Sequence, residues 1–99
     1  MKRASSPAAA RKERRWHPVP KLPPMPPAFQ RHYQHALHRY GQMYKTARIH
    51  RYNVSKTRTR SIWQLRRWAK DFRERGPVPE IIRHLAYCSA HIAVIDSRN

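Results

Sequence analysis

The sequence predicts an all-α fold: about three helices, near 28–50, 61–75 and 79–94, behind an extended, proline-rich basic arm over residues 1–27. Three observations carry this. Apolar residues recur at i, i+3, i+4 and i+7 across most of the chain after Pro27. The prolines crowd instead into the stretch before it, where six occur between Trp16 and Pro27 and forbid a regular helix. Gly76-Pro77 then gives a sharp stop between two periodic runs.

The arm comes first. Residues 1–15 are small, cationic and Ser/Ala-containing, as at the start of a mitochondrial presequence, although Pro7 and Glu13 break a clean amphipathic pattern. A disordered basic arm is the competing reading. In Trp16–Pro27, Trp16, Val19, Leu22 and Met25 recur every third residue, the period of a polyproline helix, and so share one side of a stiff strap. Pro23–Pro26 also contains a PxxP pattern, common in any proline-rich linker.

The first helical stripe comprises Phe29, Tyr33, Ala36, Leu37, Tyr40, Met43, Tyr44 and Ala47, with Arg31, Arg39 and Lys45 off it. Gly41 lies within the helix and is expected to permit a close crossing or a bend. His32, His35 and His38 walk around the helix and add to its basic side. Tyr52–Arg60 is rich in Asn, Ser, Thr and Val, weak helix formers, and reads as a loop. Ser61 then caps the second helix, with Gln64 as its capping-box partner and Ile62, Leu65, Trp68, Ala69 and Phe72 as its apolar face. Arg66, Lys70 and Arg73 share the opposite flank with Trp63. The third helix opens on Pro79 and Glu80, and its stripe is Ile81, Leu85, Cys88, Ile92 and Ile95. Its far side is apolar as well, so it needs neighbours on more than one side, while Val94–Ile95 could fray into a tail.

Charge narrows the function. The 99 residues hold 22 Lys+Arg against 5 Asp+Glu, a net charge of +17. From Arg14 to Lys70 there is no carboxylate side chain at all, whereas residues 77–99 are balanced. Solvated surfaces ordinarily mix signs, so this stretch reads as a face for a polyanion. The expected phosphate contacts are Arg14, Arg15, Arg31, Arg39, Lys45, Arg48, Arg51, Lys56, Arg58, Arg60, Arg66, Arg67 and Lys70. The sharpest of these is a unit of Arg58 and Arg60 just before a helix start at Ser61, whose free N–H groups would also favour an anion.

Other chemistries find little support. His84, Cys88 and His91 fall at i, i+4, i+7, a candidate metal set that lacks the fourth ligand of a structural zinc site. Cys88 with His84 could be written as nucleophile and base, but Cys88 lies on an apolar stripe. With two glycines there is no Gly-rich phosphate loop. The expectation is a non-enzyme with no cofactor, no small-molecule substrate and no membrane span.

In cation content, proline-rich arm and small helical body, the whole chain resembles ribosomal proteins, in particular lineage-specific mitochondrial ones. The resemblance implies a ribonucleoprotein component in the mitochondrial matrix, or alternatively the cytoplasm. Ribosomal RNA would lie against residues 1–75, with other ribosomal proteins meeting the arm and residues 77–99. A supernumerary subunit of a respiratory or ATP-synthase complex is the alternative from another class, and a DNA-packaging or viral nucleoprotein a third. A small core under strong self-repulsion is further expected to gain order from its partner.

Overall fold

The computed structural model describes residues 17–46 and 51–98, and is all-α: α1 (Pro27–Thr46), α2 (Arg51–Arg75) and α3 (Pro79–Ser97), with no strand among the described residues. Arg14, Arg15, Trp16 and Arg48 lie outside the described residues, as do the presequence reading of 1–15 and the end of the first helix beyond Thr46.

The last helix is the middle of the structure. α3 packs against both α1 and α2, which barely touch each other. Nine of its residues are buried, from Ile81 to Ile95. One core, on the α2 side, joins Ile62, Leu65 and Ala69 to Ile81, Leu85, Cys88 and Ile92. A second, on the α1 side, joins Tyr44 to Val94 and Ile95, with Leu37, Tyr40 and Val54 packed around it. This explains a helix apolar nearly all round: its two sides serve two different neighbours. It also corrects one expectation. Val94 and Ile95 are buried and helical, so no tail frays there. The apolar surface of residues 77–99 is covered by the chain's own helices, leaving mainly Glu80, Arg83, Ser97 and Arg98 exposed to any protein neighbour.

The strap is tied down by the body. Leu22 and Met25 pack against the α2–α3 core, as their polyproline spacing predicts. Val19 does not, and remains 43 % exposed. Between α2 and α3 the chain turns at Gly76, whose φ of +83° suits a residue without Cβ, and the Gly76 N–H donates to the Phe72 carbonyl at 2.8 Å. Pro79 then opens α3 after an extended Val78, as the sequence predicts. Gly41 supports no close crossing. α1 runs through it, and a methyl group there would meet nothing within 4 Å.

The main departure from the sequence reading is residues 52–60. They are not a loop but the first turns of α2. Ser61 is therefore mid-helix and caps nothing, and the N–H groups of Ile62 and Trp63 belong to the helix ladder. The physical reason is tertiary. Val54, Arg58, Ser61, Ile62, Leu65 and Ala69 form one inward seam, and burial against α3 outweighs the weak propensities of Thr57, Thr59 and Ser55.

Candidate nucleic-acid interface

The seam includes an arginine, which decides what α2 can offer a ligand. Arg58 is only 4 % exposed. Its Nε donates to Asp96 Oδ1 at 2.6 Å and its Nη2 to Oδ2 at 3.2 Å, a two-pronged grip on the end of α3. Its Nη1 donates to the His17 carbonyl at 2.6 Å. One guanidinium thus fastens strap, α2 and α3 together. Arg58 was expected to bind phosphate beside Arg60. Instead it faces inward, because two residues along a helix turn the side chain by about 200°.

Arg60 faces outward, and so does the rest of a second seam. Lys56, Arg60, Trp63, Arg67 and Lys70 recur at four- and three-residue steps, within an arc of roughly 80° opposite the buried seam. All five are exposed, and Trp63 is 54 % so. Arg66 flanks this seam and lays its guanidinium over the Trp63 ring, 5.0 Å from the centroid. The ring of His17 stands edge-on to the same indole, at 6.4 Å and 64°. Between strap and helix these side chains line a groove of about 690 Å³, with Lys56, Thr59, Arg60, Trp63 and Arg67 on one side and His17 on the other. Within this seam Lys70 lies 4.0 Å from Glu74.

The remaining expected phosphate ligands sit elsewhere. Arg31, Arg39 and Lys45 are exposed on α1, a second set on a different helix. Arg51 begins α2, with its side chain outside what the structure describes. Trp63 and His17 are not among the cations the sequence nominates for phosphate, yet they shape the groove. A signal for Trp63 was present: it is the one large apolar residue on the cationic flank of α2.

The histidines and the cysteine on α3 serve three separate neighbours. His84 stacks on Trp68, with centroids 4.1 Å apart and planes at 4°, and lies 3.7 Å from Glu80. Cys88 Sγ is 4.0 Å from Gln64 Oε1, and burial pushes its thiol up to about 11. His91 is sandwiched across the bundle: its ring stacks on Tyr40 at 4.1 Å, Nε2 meets Tyr44 Oη at 2.7 Å, and Nδ1 meets Ser61 Oγ at 3.3 Å. Burial lowers the His91 pKa below the usual imidazole value. Among the described residues no group of three His, Cys, Asp or Glu is placed to hold a metal, and no hydrogen bond joins Cys88 to His84. No described helix is long and apolar enough to cross a membrane.

Comparison of the chain with protein-family models, with curated proteins and with solved structures returned no match.

Proposed function

We propose that this chain is a structural RNA-binding component of a large ribonucleoprotein, of the mitochondrial-ribosome kind, working in the matrix without catalysis of its own. The observation that carries the reading is the outer seam of α2. Four cations, Lys56, Arg60, Arg67 and Lys70, are held in line on a rigid helix, with a fifth, Arg66, at their edge. A helix whose other side is anchored to α3 and to the strap presents these charges on a backbone that need not be ordered on binding, which lowers the entropic cost of association. Contacts of this type hold phosphates and give affinity without reading sequence. Arg31, Arg39 and Lys45 on α1 extend the basic surface. Neighbouring proteins would meet the strap and the few exposed positions of α3.

The test is sedimentation of the tagged protein from mitochondrial lysate on a sucrose gradient. Co-migration with a ribosomal subunit, and release by ribonuclease, is the expected result. A companion measurement on purified protein and structured RNA should show log K falling steeply with log salt. Migration as a free protein, or with a membrane complex that ribonuclease leaves intact, overturns the proposal.

A further inference from the structure

Resting on the RNA reading, we infer that the groove between the strap and α2 is a seat for one unpaired RNA base, stacked on Trp63 and held by phosphate contacts from Arg60 and Arg67. Three features point there. The first is the indole itself. α2 already has an apolar face turned to α3, and Trp63 is the one large apolar side chain on the opposite face, 54 % exposed even with the Arg66 guanidinium 5.0 Å from its ring centroid. An aromatic ring inside a positively charged groove is the arrangement that holds single strands, because every base offers a π-face.

The second feature is the wall. His17 stands 6.4 Å from Trp63 and turns a helix surface into a groove of about 690 Å³, well within the range that holds a small ligand. The wall is fixed, since Arg58 holds the His17 carbonyl from beneath at 2.6 Å. Arg58 is thus a positioning residue for the groove rather than a phosphate ligand.

The third feature is spacing. Arg60 and Arg67 lie on the same side of α2 as Trp63, one turn before and one turn after it, about 10 Å apart along the axis. Two long guanidinium side chains at that separation can grip the phosphates on either side of a base stacked between them. In duplex RNA the bases are already stacked on one another and their faces are closed to a side chain, so the site selects loops, bulges and single strands. An anionic membrane is the competing polyanion. It is disfavoured because membrane-surface helices bury a broad apolar face, and α2's outer face has one indole.

The experiment uses the full chain with a single-stranded oligoadenylate of twelve nucleotides, a blunt RNA duplex of twelve base pairs, and vesicles of phosphatidylserine and phosphatidylcholine. Trp63→Ala is made alongside Trp63→Phe, and melting curves are recorded for both, since an exposed indole should leave stability nearly unchanged. Trp63→Ala is expected to weaken single-strand binding roughly 5- to 100-fold while its salt slope stays that of the parent, because an indole releases no counterions. Trp63→Phe should recover most of the loss, and duplex binding should be unaffected. Arg60→Ala and Arg67→Ala should each lower the single-strand salt slope by about 0.7. Equal single-strand affinity in parent and Trp63→Ala overturns the base seat and leaves the RNA reading standing on the salt slope. Vesicle binding that depends on Trp63, with RNA binding unchanged, assigns the groove to lipid headgroups and overturns it too. Absence of salt-dependent RNA binding in the parent protein removes both readings together.

Discussion

Arg58 and Arg60 are near-equivalent in the sequence and opposite in the structure, and a pair of substitutions separates them. Arg58→Met keeps most of the apolar stem of the side chain but removes the charge-assisted hydrogen bonds of its guanidinium, among them two to Asp96 and one to the His17 carbonyl. Breaking a fully buried ion pair costs about 3–5 kcal/mol, chiefly because the abandoned charge cannot rehydrate. Here the abandoned partner can do so in part, since the Asp96 side chain is 35 % exposed, and that discounts the figure. About 2–4 kcal/mol remains, a large share of the stability of a small domain. At roughly 4–8 °C per kcal/mol for a chain of this size, the melting temperature should drop by about 10–25 °C. Arg60→Met, on the outer seam, should move it by less than about 3 °C and act instead on RNA, with a smaller salt slope. Thermal melts followed by circular dichroism, with a double-mutant cycle through Asp96→Asn, supply the readout. A non-zero Arg58–Asp96 coupling energy is expected. A wild-type melt for Arg58→Met, or a coupling energy indistinguishable from zero, would refute the view that this arginine staples the body.

Two further outcomes follow from the groups buried along α3. Because burial lowers the His91 pKa, the folded state binds its proton less readily than the unfolded chain does. This contribution to stability is complete above about pH 6.5 and is lost as pH falls through the lower, folded value. Denaturant midpoints should therefore decline from pH 7.5 to pH 5, and His91→Gln should flatten that decline; an equal decline in the variant would sink the assignment. The Cys88 thiol, raised to about 11 and enclosed in the core, should resist iodoacetamide at pH 8 until denaturant opens the bundle. Rapid native-state labelling would contradict the packing described.

How much of this was legible in the sequence depended on whether its cause was local. The Gly76-Pro77 stop, the Pro79 start and the polyproline pegs Leu22 and Met25 are set by backbone geometry within a few residues, and each is found where the sequence puts it. The stripe of α1 also reads correctly at Ala36 and Tyr44, both buried. The opening turns of α2 were hidden because Asn, Val, Ser and Thr are weak helix formers and because a cation occupies a seam position. A pattern that scores Arg58 as polar sees a gap in the stripe, and its partner Asp96 is 38 residues away. Once Arg58 is understood as an inward residue, Val54, Arg58, Ser61 and Leu65 line up at helical spacing and the loop disappears. The unit of Arg58, Arg60 and a helix start at Ser61 does not form for the same reason, since it borrowed its free N–H groups from a helix start that does not exist. The groove was only half visible. Trp63 stood out on a charged flank, but His17 joins it through the path of the strap, which no local rule supplies.

The central place of α3 has a consequence for the order of events in synthesis. Its contacts are made at long range, with His91 47 positions after Tyr44 and Asp96 38 positions after Arg58. Helical proteins usually fold fast because their contacts are local, and this one must close large loops first. Translation delivers α1 and α2 before the helix on which both depend, and among the described residues those two barely touch each other. For the seconds that elongation takes, the nascent chain is an open polycation, with the acid-free stretch exposed and the neutral helix that completes the core still to come. A polyanion met in that interval encounters α1 and α2 as independent, unpaired segments, and the arrival of α3 is what sets their mutual geometry.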